Sequence, residues 1–292
     1  MPNSASRIAP AKVNLYLHVL GKRTDGLHEL QSLVTFASIG DGVEVTPSDK
    51  RTLEIDGPFG ASISIEEPGQ NLVVKAARRA LSGTGKRVHI RLTKNLPVAA
   101  GVGGGSADAA AVLHCLNDML GTDYGEPAAW ANLGADIPVS LLDRPALAEG
   151  MGERLTPAPH LPALPAVLVN PGEPSGTRSV FKALAGRYGQ PAIPALPPEQ
   201  VCASVETFIG WLSNTRNDLT EPGAEIVPAI REALSALQQT PGVLLARMSG
   251  SGATCFGLCP TMEAADEAAA SLSGRAPGWW VRATMLKGTG DQ

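Results

Sequence analysis

The chain has 292 residues, with 24 Lys and Arg against 28 Asp and Glu and a formal net charge of −4, which argues against a general nucleic-acid binder that draws its affinity from neutralised phosphates. Hydrophobic residues at 43% and charged residues at 18% suit one large domain or two modest ones with a sizeable core, and exclude disorder throughout. Five Phe, four Trp and three Tyr against 32 Gly and 24 Pro predict an aliphatic core and many turns.

The first expected element is a strand over 11–19. Lys12, Asn14, Tyr16 and His18 alternate there with Val13, Leu15, Leu17 and Val19, which puts Lys12 and Asn14 on one face. Lys12, Asn14 and His18 also interrupt the only early apolar stretch, so no secretory core is read and a cytoplasmic location is expected. Strand-like runs follow near 30–38, 42–46 and 52–55, then a helix over about 71–82 and a strand at Arg87–Leu92. From Ser106 to Leu120 the chain is rich in Ala and Leu, lacks Gly and Pro, and stops at Gly121, as a helix with a glycine C-cap does.

The longest charge-free run, Leu155–Gly172, carries Pro157, Pro159, Pro162, Pro165 and Pro171; it cannot hold a membrane helix and reads as loop or linker. No membrane association is expected. The stretch Pro157–Pro174, interrupted by a short strand at Ala166–Asn170, is the expected boundary between a domain over 1–158 and another over 159–292. Beyond it come helices near 178–185, 199–212 and 223–239, strands 243–248 and 253–259, a helix 261–273 and a strand 278–285. That order is a split β-α-β sandwich, an α+β arrangement. Cys115, Cys202, Cys255 and Cys259 are too few for a disulfide framework and show no zinc-type pairing with the five histidines; Cys255 and Cys259 read as small core residues of a strand.

Leu96-Pro97-Val98-Ala99-Ala100-Gly101-Val102-Gly103-Gly104-Gly105-Ser106-Ala107-Asp108 lies between a predicted strand and a predicted helix. Four glycines in five positions let the backbone approach a ligand closely, and a helix starting at Gly105 or Ser106 offers N–H groups and partial positive charge to an anion. Phosphate fits. Ser106 caps the helix, donates its hydroxyl to phosphate or magnesium, or does both. A Walker loop is excluded because no Lys-Ser or Lys-Thr follows the glycines. A dinucleotide fingerprint would place Ser106 at the third glycine, and Asp123 follows a helix end where a second strand should precede it.

These residues carry a resemblance. Pro97 to Ala107 resembles the second motif of the GHMP kinases, which hold ATP in a glycine-serine loop. With Pro10-Ala11-Lys12-Val13-Asn14-Leu15, Asp25-Gly26-Leu27-His28-Glu29-Leu30, Gly134-Ala135-Asp136-Ile137-Pro138 and Ser249-Gly250-Ser251-Gly252-Ala253, the set is similar to that of the 4-diphosphocytidyl-2-C-methyl-D-erythritol kinase family of the non-mevalonate isoprenoid pathway. Asn71-Leu72-Val73, Ala148-Glu149-Gly150, Pro171-Gly172 and Asn217-Asp218-Leu219 add smaller matches. The resemblance implies a two-domain GHMP kinase fold, with an N-terminal ribosomal protein S5 domain 2-like part and a C-terminal ferredoxin-like part.

It also implies roles: ATP and Mg2+, with phosphate transfer to the 2-hydroxyl of a cytidine diphosphate ester of methylerythritol. Asp136 matches the base, where the alternative is a cap on a helix beginning at Ile137-Pro138. Lys12 matches the active-site lysine, expected to pair with Asp136, where a lone strand lysine is otherwise a solvated edge residue. Asn14 binds the polyol or holds Lys12. Asn71 and Lys94 are expected near the adenosine, with a general surface role open for Lys94, and Ser249, Gly250, Ser251 and Gly252 either face the phosphates or form a plain hairpin. The family usually has Tyr at Leu27, stacking on cytosine opposite the residue matched by Phe181; half of that sandwich is missing here. His28 reads the base edge, and Thr177 lies near the substrate. The expected partner is this small molecule, with no nucleic acid, and the protein a monomer or homodimer. Other GHMP kinases, acting on homoserine, mevalonate derivatives or sugars, and a non-catalytic nucleotide- or RNA-binding module remain as alternatives.

Overall fold

The structure, a computed structural model, describes residues 4–63, 68–188 and 195–290. In chain order it forms β1 (Ala5–Lys22), β2 (His28–Pro47), β3 (Thr52–Asp56), α1 (Leu72–Ala80), β4 (Val88–Thr93), α2 (Gly104–Leu120) and α3 (Ile137–Leu142). There follow β5 (Ala146–Gly150), β6 (Arg154–Pro157), β7 (Leu164–Asn170), α4 (Thr177–Leu184), α5 (Val205–Leu212), α6 (Thr220–Ile226), α7 (Ala229–Gln238), β8 (Leu245–Met248), β9 (Cys255–Leu258), α8 (Met262–Arg275) and β10 (Trp280–Leu286). Among the described residues no helix is long and apolar enough to cross a membrane.

Two compact units share this chain. Unit 1 comprises 1–11, 39–98 and 103–143. Its sheet pairs Gly42–Pro47 of β2 antiparallel with β4, and β3 lies parallel on the other side of β4. Val43, Val45, Ile90 and Leu92 pack there against Ala107, Ala111, Val112 and Leu116 of α2 and Val73 and Ala77 of α1. Another face of α2, Ala109, Ala110 and Leu113, packs on Trp130 and on Ile137 and Leu141 of α3. Burial on both faces explains the alanine content: small side chains let two helices and a sheet approach one helix.

Unit 2 comprises 12–38, 99–102 and 144–292. Its central strand is β7, buried at every position, flanked antiparallel by β10 and β9, with β8 beyond β9. β10 reaches β2 at Leu286↔Ala37, and β5 bridges Leu30–Val34 of β2 to β6. α8 brings Ala265, Ala268 and Leu272 into a core with Val167, Val169, Cys255 and Cys259, so both cysteines are the core residues expected.

Several expectations are corrected. The proline-bearing run is no linker: it ends β6 and holds the innermost strand, β7, which extends the strand expected at Ala166–Asn170 by two residues; Pro157 ends β6, Pro165 is the second residue of β7, and the other prolines lie outside the strands. The runs 30–38 and 42–46 form one strand, β2. The helix expected at 223–239 is two, α6 and α7, because Pro228 bars the helical conformation at Val227, whose φ of −124° and ψ of 87° end α6. Similarly, 199–212 divides at Ser204, whose side chain accepts from Thr207 N in a capping box that opens α5.

Candidate active site

In unit 1, α2 opens at Gly104, before the expected start, with Gly103 at the N-cap in the left-handed region (φ 63°) and no side-chain cap. Ser106 N and Ala107 N both donate to Gly103 O at 2.9 Å. Ser106 therefore sits inside the first turn and is not the cap. The helix start presents main-chain N–H groups without a competing side chain, the arrangement suited to an anion.

The turn bearing Asp136 is held against that helix start. A Cβ at Gly134 would lie 3.2 Å from Ser106 Oγ and 3.3 Å from Ile137 Cδ1, so glycine is what lets the turn come this close. Asp136 occupies the N-cap position of α3, yet its carboxylate makes no cap bond; its backbone oxygen accepts from Ser140 N (3.1 Å) and Ser140 Oγ (2.8 Å). The capping alternative for its side chain is not what the fold uses. Asn71 does cap, accepting from Val73 N at 2.9 Å to open α1.

Lys94 is 3% exposed, which removes the surface role. Its ammonium donates to Asp41 and, at 2.7 Å, to Asp108 Oδ2. Asp41 also accepts from Asn95 N (2.6 Å) and Leu96 N (2.8 Å), at the entry to the glycine loop. A Cβ on Gly104 would be 3.6 Å from Lys94 Nζ, so this ion cluster lies directly beside the start of α2. Two carboxylates meet one ammonium, and Asp108 Oδ1 is buried without a hydrogen-bond partner. Burial pushes the Asp108 carboxyl up to about 7; Lys94 opposes that rise and the Asp41 charge adds to it. Burial works against the Lys94 ammonium, but the two carboxylates outweigh it and hold Lys94 above the usual lysine value.

A carboxyl whose pKa is higher folded than unfolded stabilises the fold while protonated, and that contribution is lost as pH rises through the folded value. Asp108→Asn keeps an oxygen for Lys94 and removes the titration. Its melting temperature relative to wild type should therefore rise between about pH 4 and about pH 7 and level off above that. A constant difference in thermal melts across that range would show that Asp108 does not titrate there.

In unit 2, Lys12 is 5% exposed and is no solvated edge residue. Its ammonium donates to Asn14 Oδ1 at 2.8 Å, and Asn14 Nδ2 donates to Ser32 Oγ at 2.7 Å. Asn14 thus does hold Lys12. The start of the glycine loop is fastened through its carbonyls: Ala99 O accepts from Ser175 N (3.1 Å), Ala100 O from Thr254 N (3.0 Å), Gly101 O from Ser249 Oγ (3.2 Å) and Val102 O from Lys12 N (2.9 Å). With four successive acceptors turned into the protein, the loop repels an anion less. Gly101 has φ 75°, and a Cβ there would strike Ser249 O at 2.6 Å.

Ser249–Gly252 joins β8 to β9, and Ser249 N donates to Thr254 O at 2.9 Å, so the loop closes a hairpin. The same turn packs on Gly101, and Ser251 Oγ lies 2.9 Å from Thr177 Oγ1, which ties Thr177 to this loop. Pro97 and Val98 precede the fastened stretch, with Val98 exposed.

The turn between β1 and β2 holds the next pair of residues. Asp25 Oδ1 accepts from Leu27 N at 3.0 Å and Gly26 adopts φ 85°, an Asx-type turn that needs glycine. It leaves Leu27 48% exposed. His28 stacks on Phe181 with centroids 4.8 Å apart and lies 6.0 Å from Tyr188. Burial, with a contribution from Lys22, lowers the His28 pKa, favouring the neutral ring that both donates and accepts. Sequence reasoning missed Asp41, Asp108, Ser32, Ser175 and Tyr188. No local pattern pairs Asp41 or Asp108 with Lys94, because each lies on a different element.

The chain matches the models of the GHMP kinases N terminal domain over residues 71–145 and the GHMP kinases C terminal domain over 204–277. It is 46% identical to a 4-diphosphocytidyl-2-C-methyl-D-erythritol kinase of Paracoccus denitrificans, over 98% of each chain. It is 47% identical to one of Caulobacter vibrioides, over 96% of this chain and 99% of the other. A crystal structure of 4-(cytidine 5'-diphospho)-2C-methyl-D-erythritol kinase superimposes with a TM-score of 0.78 at 35% identity, covering 97% of this chain and 100% of that one. A homoserine kinase from Cytophaga hutchinsonii shares the fold at a TM-score of 0.68 and 18% identity, over 99% of this chain and 96% of its own.

Proposed function

The chain belongs to the 4-diphosphocytidyl-2-C-methyl-D-erythritol kinase family of GHMP kinases, and from that premise we propose that it transfers the γ-phosphate of ATP to the 2-hydroxyl of the methylerythritol unit of a cytidine diphosphate ester, for isoprenoid precursors made without mevalonate. The observation that supports this most is the helix start at Gly104, free of a side-chain cap, with the Asp136 turn held against it by Gly134.

The acceptor is a tertiary alcohol, a very weak acid. The proton therefore leaves late, as the bond to phosphorus forms, and Asp136 serves by its orientation towards the hydroxyl. Lys12, steadied by Asn14, stabilises charge on the nascent alkoxide and the moving phosphoryl group. Gly101–Gly105, within the segment Pro97–Ala107, and Gly250 and Ser251 of the Ser249–Gly252 loop offer N–H groups to the triphosphate, while the N–H groups of Ser106, Ala107, Ser249 and Gly252 are bonded within the chain. Asn71 lines the adenosine. Lys94, already met by two carboxylates, serves by fixing the start of α2.

Among the described residues no group of three or more His, Cys, Asp or Glu is placed to hold a metal. This suits magnesium carried largely by ATP oxygens and water, with the Ser106 hydroxyl as protein donor. When bound, magnesium neutralises phosphate charge. A domain division at 158/159, a cytoplasmic location and a monomeric or homodimeric state belong to the same proposal.

His28 and Phe181 receive the cytosine, where Leu27 supplies apolar contact without a ring. Base–aromatic stacking contributes about 1–3 kcal/mol, so Leu27→Tyr should lower KM for the cytidine ester about fivefold or more and leave KM for ATP unchanged. An unchanged ester KM in steady-state assays would mean that Leu27 does not face the base.

The activity is tested by ADP release with ATP, magnesium and the cytidine ester, beside a cytidine-free analogue, homoserine and mevalonate. The ester should exceed every other alcohol in kcat/KM by about 100-fold or more. Equal turnover without cytidine, or preference for another alcohol, would overturn the assignment.

A further inference from the structure

The coil between α5 and α6 carries Asn217-Asp218-Leu219, which none of the roles above uses. Asn217 is 6% exposed. Its Nδ2 donates to Met248 O and to Gly250 O, each at 2.8 Å, and its Oδ1 accepts from Leu219 N at 2.9 Å. The coil is also tied to β1: Leu17 N donates to Arg216 O (3.0 Å), Asp218 N to Leu17 O (2.9 Å) and Val19 N to Asp218 Oδ2 (2.8 Å). β1 carries Lys12 and Asn14, and Asn14 N donates to Ser249 Oγ at 3.1 Å. The coil thus joins the strand bearing the lysine, through Arg216 and Asp218, to the loop connecting β8 and β9, through the buried Asn217 amide.

The chemistry requires asparagine. Two donors on one nitrogen serve two carbonyls while the oxygen takes an N–H on the other side; Asp has no such donors and Ser is too short to span all three partners. The Gly250–Ser251 peptide is planar and trans, so holding Gly250 O on Asn217 directs the Ser251 N–H the opposite way. Gly250 has φ 55°, and a Cβ on it would lie 2.8 Å from Gly101 O. The loop thus has little room for another conformation that keeps these contacts.

We infer that Asn217 is a positioning residue for phosphate binding: it fixes the Ser249–Gly252 loop so that the Ser251 N–H addresses the phosphates of the nucleotide. The inference rests on the proposal that this loop serves ATP. Asn217→Ala and the isosteric Asn217→Asp both remove the two donors, and Asn217→Asp retains the bond from Leu219 N. Each should raise KM for ATP about tenfold or more, the scale of one lost hydrogen bond to a charged group. KM for the cytidine ester should stay within about twofold, with far-UV circular dichroism and a single unfolding transition retained. Both variants should also lose most of the rise in melting temperature that ATP alone gives the wild type.

Unchanged ATP parameters with only a lower melting temperature would overturn the inference. Failure of both variants to fold would do so too, because Asn217 would then build the fold. The nucleotide-induced shift needs no acceptor, so it still reads Asn217 if the wild type does not turn over the cytidine ester. In that case the substrate assignment fails separately.

Discussion

Asp136→Asn should lower kcat by about 10²–10⁴-fold, the usual worth of a positioned proton acceptor, while the dissociation constant for ATP changes by less than about threefold. The substitution is nearly isosteric. The Asp136 backbone oxygen accepts from Ser140 N and Ser140 Oγ, bonds that an asparagine leaves in place. What disappears is a carboxylate able to take the proton as the phosphoryl group arrives. Steady-state rates beside calorimetric ATP titrations separate the two quantities. A variant that turns over within about threefold of wild type would show that another group accepts the proton.

Lys12→Ala should cost about 10²–10³-fold in kcat, the scale of removing one preorganised group that stabilises developing charge. Lys12→Arg should recover little of it, because the buried ammonium bonded to Asn14 Oδ1 has a compact geometry that a planar guanidinium does not reproduce. Truncating a buried side chain also lowers stability, so the rates must be compared well below each variant's melting temperature. A normal kcat with a raised KM for ATP would reassign Lys12 from charge stabilisation in the transition state to ground-state binding.

Much of this site was legible locally. Strict alternation placed Lys12 and Asn14 together, and the glycine run followed by an Ala-rich segment marked the helix start to within two residues. What stayed hidden depends on contacts distant in sequence. Ser106 looks like a cap until Gly103 is seen to supply the left-handed residue before the helix. Lys94 reads in the sequence as a neighbour of the adenosine or a surface residue, and only the structure brings Asp41 and Asp108, from β2 and α2, onto it. The prolines between 157 and 174 suggested a linker because single prolines mark turns; the short strand read among them at Ala166–Asn170 is present as β7, and its central place in the sheet comes from pairing with β9 and β10, which lie far along the chain. β5 escaped notice because Ala-Leu-Ala-Glu-Gly has little β propensity of its own and is strand only through pairing with β2 and β6. Asn217 stood out as part of a word, but its two carbonyl partners lie about 30 residues further along.

The most direct test is the phosphorus NMR spectrum of the product formed from ATP, magnesium and the cytidine diphosphate ester of methylerythritol. The carbon bearing the 2-hydroxyl carries no hydrogen, so the account predicts a new phosphate monoester resonance without splitting by a carbinol proton. A doublet or triplet would put the phosphate on a secondary or primary hydroxyl and contradict the account, as would ADP accompanied only by inorganic phosphate.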